Sequence, residues 1–215
     1  MALPGDLTAR PVRLAFGDLS LEGFSRAGQA TWFRVHPPGL AFDAGGGGEP
    51  ALAGAGEIFL THGHLDHALG VPYLLSHRRA EEGPVRVFCP AAIAADLQAV
   101  VAACARLDGV EVLWQLEPLL AGERVRVGRD LLVEAFAVEH VLPSLGYFLV
   151  REVRRLDPTY AGLPAVELAA LRREGIGIER LEEVDWLAYC GDTAAATLDA
   201  NPRLFTAWIL LLECT

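Results

Sequence analysis

The stretch EIFLTHGHLDHALGVPYLL, residues 57–75, crowds three of the chain's six histidines and one aspartate into the six positions His62–His67. Neighbouring imidazoles repel one another once protonated. Their crowding makes chemical sense where a shared cation draws on neutral ring nitrogens. EIFLT reads as a strand that runs out at His62. Alternate residues of an extended chain face the same side, so His62 and His64 can meet one ion. From Asp66 the pattern lengthens into a helix, and the change of direction lets Asp66 and His67 face a second ion. Imidazole and carboxylate donors suit zinc, manganese or iron.

Working outward, short apolar runs mark strands at VRLAF (12–16), TWFRV (31–35) and LAFD (40–43), and again at VRVFC (85–89). Residues 91–107 carry a helical period. Further strands are expected at VEVLWQL (110–116), RVRVG (124–128), LLVEAFAVEH (131–140), GYFLVREV (146–153), WLAYC (186–190) and AWILLLE (207–213), with a charged helical stretch around 164–174 and a short helix after Asp192. Strands first, with helices interspersed in both halves, predict an α+β fold of two sheets covered outside by helices. The 215 residues suffice for one domain, 1–215.

Three other acids and a histidine stand at strand ends: Asp43 in AFDAG, His140 after LLVEAFAVE, Asp192 in YCGDT and Glu213 in LLECT. With THGHLDH in this order, the chain resembles the metallo-β-lactamase superfamily, a four-layer αββα sandwich with two metals at one edge. The resemblance implies that His62, His64 and His140 ligate one metal, that Asp66 and His67 ligate the other, that Asp192 bridges them, and that Asp43 supports the site from behind its ligands. HVLPSLGYFL (140–149), LAYCGDTAAA and LLECT look most like ribonuclease Z, the tRNA 3′-processing endonuclease. That branch implies two divalent ions, zinc foremost, with hydroxide between them attacking a phosphodiester. It also implies Asp66 as proton acceptor, Glu213 near the leaving oxygen, an RNA substrate such as a tRNA precursor, and a homodimer. Thioester or lactone hydrolysis on the same fold, and a metal-binding protein with little catalysis, remain open alternatives.

Two departures from ribonuclease Z stand out. Residues 151–185 read as helical and charged, without the Gly/Pro-rich basic arm, and the sequence stops at Thr215, before the loop that bears the family's last metal-binding histidine. A truncated C-terminal end is therefore expected.

The remaining features limit the alternatives. Net charge is −10 and every basic residue is arginine, a poor composition for a generic nucleic-acid binder, although local arginines suit phosphate. Arg78 and Arg79 are candidates for phosphate contact at the mouth of the site or for a solvated helix end. The run DAGGGGEP lacks the Lys-Ser/Thr of a phosphate loop and reads as a tight loop near the metal floor. Cys89, Cys104, Cys190 and Cys214 form no C-x-x-C pair and read as free thiols. His36 and His77 read as surface residues. No apolar run is long enough to span a bilayer and no secretory leader opens the chain, so a cytoplasmic location is expected.

Overall fold

Strands whose large apolar residues recur with period two present one face to a shared core and the other to covering helices, and two such sheets build this molecule. The computed structural model describes residues 10–46 and 49–214. The first sheet runs in chain order: β1 (Val12–Phe16), β2 (Leu19–Arg26), β3 (Ala30–His36), β4 (Leu40–Phe42), β5 (Glu57–Phe59), β6 (Val85–Pro90) and β7 (Trp114–Leu119). It is antiparallel as far as β4 and parallel from β4 to β7. The second sheet holds β8 (Arg124–Arg126), β9 (Leu131–Val138), β10 (Ser144–Leu156), β11 (Glu179–Thr193) and β12 (Ile209–Cys214), in the spatial order β12-β11-β10-β9-β8. All its pairs are antiparallel except β11–β12.

Parallel neighbours need crossovers, and helices supply them. α1 (Leu65–Ala68) and α2 (Gly70–Ser76) connect β5 to β6, and α3 (Ala94–Asp108) connects β6 to β7. α4 (Ala165–Arg173) lies between β10 and β11, and α5 (Ala195–Ala200) leads toward β12.

Side-chain alternation sorts residues among three apolar layers. Phe42, Phe59, Phe88, Tyr147, Leu187 and Tyr189 meet between the sheets. Their neighbours Ala41, Ile58, Val87 and Cys89 face the other way, toward Val71, Leu75, Leu97 and Val101 of α2 and α3. On the far side Phe136, Phe148, Ala188 and Cys190 pack with Leu204. The result is the expected α+β, αββα sandwich. Phe42 stacks on Tyr147 with centroids 5.8 Å apart, and Phe33 meets Tyr189 edge-on at 5.2 Å, which ties the sheets together beneath the strand ends that carry the acids and histidines singled out above.

The structure corrects three readings of the sequence. LSLEGFSR forms the unanticipated strand β2. The strand expected at 110–116 begins at Trp114 and runs to Leu119. Most of the segment 151–185 is not helical: β10 extends to Leu156, β11 starts at Glu179, and only Ala165–Arg173 is α-helix. Gly47, Gly48, the N-terminal stretch 1–9 and the side chain of Cys214 lie outside the described residues. Cys89 and Cys104 are free thiols, as expected, and Cys190 is in no disulfide.

Candidate metal centre

The strands deliver their ends to one rim of the sandwich. Asp43 follows β4, His62 follows β5 two residues beyond Leu60, and His140 follows β9; Asp192 and Glu213 sit near the ends of β11 and β12. Parallel β11–β12 pairing puts Asp192 directly beside Glu213.

The first group of donors is His62, His64, His140 and Asp192. His62 Nε2 is 2.8 Å from His64 Nδ1, and His140 Nε2 is 3.4 Å from the same atom. Asp192 Oδ2 lies 3.9 Å from His62 Nε2, 3.9 Å from His64 Nδ1 and 3.8 Å from His140 Nε2. Four donors around a tetrahedral zinc at its usual bond lengths are separated by about 3.3 Å, which these spacings bracket. A relay of hydrogen bonds sets which His62 nitrogen faces inward. Thr61 Oγ1 sits 2.8 Å from Asp43 Oδ2 and gives it its proton, so it accepts from His62 Nδ1 at 2.9 Å. The Nε2 lone pair of His62 is thereby turned toward the cluster. Burial drives the His62 pKa down to about 4, with the surrounding histidines adding to it against the opposing pull of Asp43, so the ring is neutral.

His67, Asp192 and Glu213 form a second group. His67 Nδ1 is fixed by Asp43 Oδ2 at 2.9 Å and Nε2 points at Asp192 Oδ1, 3.4 Å away. Burial opposes charge on this imidazole, but the hydrogen bond and charge of Asp43, with Asp192 and Glu213 beyond, outweigh it and raise the pKa to about 9. Burial is also the chief reason that the Glu213 pKa is raised. His67 Nε2 and Glu213 Oε1 are both buried without a hydrogen-bond partner. Orphaned polar atoms are costly, and two aimed into one group of N and O donors fit a divalent cation.

Asp43 organises both groups. It is fully buried and accepts from Thr61 N (2.7 Å), Thr61 Oγ1, His67 Nδ1 and Tyr189 Oη (2.6 Å), with the backbone at φ 53°. This places Asp43 behind both groups of donors. Asp66 differs from it. Its carboxylate belongs to neither donor group and accepts instead from Gly28 N at 2.6 Å, in the β2–β3 turn. Partial burial would raise its pKa, but that hydrogen bond holds it below the usual carboxylate range.

Neighbouring motifs act through geometry. Gly191 has φ 60°, and a Cβ there would fall 2.8 Å from Thr61 Oγ1, so the GDT turn closes on the histidine strand only with glycine. Gly146 leaves room for the Phe136 ring, which a Cβ would meet at 2.2 Å, while Tyr147 Oη donates to Leu60 O at 2.6 Å just ahead of His62. The start of the glycine run is wedged beside the site: Ala44 N donates to His67 O (2.7 Å) and Gly45 N to Thr31 O (2.9 Å).

A cleft of about 510 Å³ opens over the first group, lined by His64, Glu139, His140, Val141, Asp192 and Ala194. Among the described residues, no arginine lines it. Arg78 instead donates to Ala55 O, Glu82 O and Gly83 O with its side chain only 10% exposed, so it ties loops together away from the cleft and is neither at the mouth of the site nor a solvated helix end. His77 stacks on Tyr73 at 4.1 Å, and His36 is exposed at the end of β3. Glu213 in the second donor group and Gly28 against Asp66 were not foreseen. The dyad of adjacent strand ends, YCGDT and LLECT, carried a signal for the former; nothing in the sequence signals the latter.

Residues 46–215 match the model of the β-lactamase superfamily domain. The chain is 32% identical to nuclear ribonuclease Z of Triticum aestivum over 171 residues, covering 79% of this chain and 96% of that protein. It is 29% identical to the chloroplastic tRNase Z TRZ2 of Arabidopsis thaliana over 199 residues, 91% of this chain but 56% of that protein. Among solved structures, the metallo-β-lactamase fold protein YhfI from Bacillus subtilis superposes with a TM-score of 0.56 at 11% identity, over 89% of this chain and 67% of that one. The chain belongs to the metallo-β-lactamase superfamily and, within it, to the ribonuclease Z family. None of the described helices is long and apolar enough to cross a membrane.

Proposed function

We propose that this protein is a metal-dependent phosphodiesterase that cleaves RNA, with the 3′ end of a tRNA precursor as substrate. The observation that carries the proposal is the convergence of His62, His64, His140 and Asp192 on one point, with His67 and Glu213 presenting orphaned donors beside it, in a chain of the ribonuclease Z family. The first group would hold one divalent ion. His67 and Asp192, with a further carboxylate from Asp66 or Glu213, would hold the second. Zinc is the first choice for this N/O donor set, with manganese and iron next. Bound ions would supply Lewis-acid polarisation of the phosphoryl oxygens and acidify a water toward neutral pH.

The chain's own groups do the rest. Asp43 and Thr61 hold the two buried imidazoles in the orientation that leaves each Nε2 free. Asp66 is assigned as proton acceptor because its carboxylate stands ionised at the edge of the centre, outside both donor groups. Among the described residues, the cleft's lining adds Glu139 and Asp192 and no arginine, in a chain of net charge −10. A phosphodiester is repelled there until cations are in place, so substrate binding should require the metals as much as chemistry does.

Zn²⁺- or Mn²⁺-replete protein is expected to cleave bis(p-nitrophenyl) phosphate and a pre-tRNA bearing a 3′ trailer. Turnover of S-acyl glutathione or a homoserine lactone in preference to both would replace the phosphodiesterase reading with a carbonyl hydrolase. A cytoplasmic location and a homodimer belong to the same proposal. Light scattering at micromolar concentration should then give twice the 23.1 kDa of one chain.

A further inference from the structure

We infer that Thr197, on the short helix after Asp192, is a positioning residue that fixes His140 for metal binding, which rests on reading the first donor group as a metal site. The His62 and His67 rings are each held from behind by a hydrogen bond, to Thr61 and to Asp43 respectively. Among the described residues the His140 ring has no such support: its close polar and ring neighbours are His62, His64 and Asp192, all members of its own donor group. Its place is therefore set by its backbone. The last β9–β10 pair is Val138 with Ser144, so Glu139, the residue before His140, lies beyond the ladder. The segment after Asp192 satisfies both of its backbone groups. Glu139 N donates to Thr197 Oγ1 at 2.9 Å, and Glu139 O accepts from Ala194 N at 3.0 Å.

The choice of residue at 197 points the same way. α5 buries one side chain, and it is this threonine, 3% exposed. The inward position of a surface helix is ordinarily apolar, like the adjacent Leu198, which packs on the layer of Phe136 and Phe148. An apolar side chain at 197 would leave the Glu139 N–H without its acceptor. The clamp joins the turn that carries Asp192 to the loop that carries His140, and His140 Nε2 stands 3.8 Å from Asp192 Oδ2. Leu145 N, donating to Thr61 O at 2.9 Å, ties the far end of the same loop to the histidine strand. His140 is thus carried between two fixed points, one of them made by Thr197. Without that point the loop must be ordered as the ion binds, which weakens binding.

The test is metal binding, read apart from activity. The full chain is titrated with Zn²⁺ by calorimetry, and histidine-ring NMR assigns each ion to the imidazoles it shifts. Thr197→Val, which keeps the side chain's shape and loses the acceptor, should bind the ion that shifts His140 about 10-fold more weakly, on the scale by which lost outer-shell contacts act. The ion that shifts His67 should stay within about threefold of wild type, which also shows that the variant is folded. Thr197→Ser, which restores the hydroxyl, should bring the affinity at His140 back to within about threefold of wild type. Hydrogen exchange on wild type needs no variant: the Glu139 amide should be protected although it lies outside the sheet. A Thr197→Val protein that melts at a lower temperature but binds Zn²⁺ at His140 like wild type would make the hydroxyl merely structural and overturn the inference. A Thr197→Ser protein as weak as Thr197→Val, or a Glu139 amide that exchanges freely, overturns it too. Each of these leaves the metal centre standing, whereas a wild-type protein that binds no ion overturns both.

Discussion

Replacing Asp43 by asparagine should weaken the whole centre at once. Asp43 is fully buried at φ 53°, a conformation that asparagine tolerates well, so the change removes charge without adding backbone strain. The carboxylate accepts four hydrogen bonds at 2.6–2.9 Å, from Thr61 N, Thr61 Oγ1, His67 Nδ1 and Tyr189 Oη. An amide offers one acceptor oxygen and turns an NH₂ toward the remaining donors. Hydrogen bonds to charged groups contribute about 1.5–3 kcal/mol each, so two lost acceptors and partial relaxation amount to about 3–5 kcal/mol. For a domain of this size that lowers Tm by about 6–20 °C in a thermal melt of metal-free protein. The same substitution removes the counter-charge that lifts His67 to about 9 against its burial, so the His67 pKa measured by NMR should fall below 6.5. An Asp43→Asn protein whose Tm drops by less than about 2 °C, with His67 still titrating as in wild type, would show that Asp43 does not organise the site. Tyr189→Phe, which removes one donor and leaves the carboxylate, serves as control and should cost about 1.5–3 kcal/mol, the value of a single bond to a charged group.

Further outcomes follow from neighbouring groups. Gly191→Ala places a Cβ 2.8 Å from Thr61 Oγ1 at φ 60°, and should lose about 2–5 kcal/mol from the strained backbone and overpacking together, measured by urea unfolding. Metal binding should release protons. His67 carries one below its pKa of about 9 and must give it up to ligate, so the affinity of the second ion should rise with pH up to about 9 and then level off. Calorimetry in buffers of different ionisation heat measures this as roughly one proton released near pH 7.5, and no buffer dependence would contradict it. Pre-tRNA cleavage should disappear on chelation and return with Zn²⁺ or Mn²⁺, whereas cleavage that survives chelation would remove the ions from the reaction.

How far the sequence could be read depended on whether burial imposed a period. Strands beneath the site alternate cleanly, as in Leu187, Ala188, Tyr189 and Cys190, because each face meets a different apolar layer. They were legible, and so were the strand-end positions of His62, His64, His140 and Asp192. The outer parts of β10 and β11 form a two-stranded ribbon held by cross-strand pairing and by ion pairs such as Arg155–Glu182 (3.1 Å). With exposed charges on both faces no period of two survives, and Arg/Glu-rich composition imitates a helix. β2 was hidden for a related reason: Glu22, Gly23, Ser25 and Arg26 interrupt an apolar alternation that only Leu19 and Leu21 display. The direction of the Asp66 carboxylate was beyond reach, because its partner Gly28 lies 38 residues away and offers only a backbone N–H.

Crystals grown in excess zinc, with anomalous scattering recorded at the zinc edge, test the central claim most directly. The account predicts one peak among His62, His64, His140 and Asp192, and a second, adjoining it, beside His67. A well-ordered structure without a peak at either place, its imidazoles turned away from one another, would contradict it.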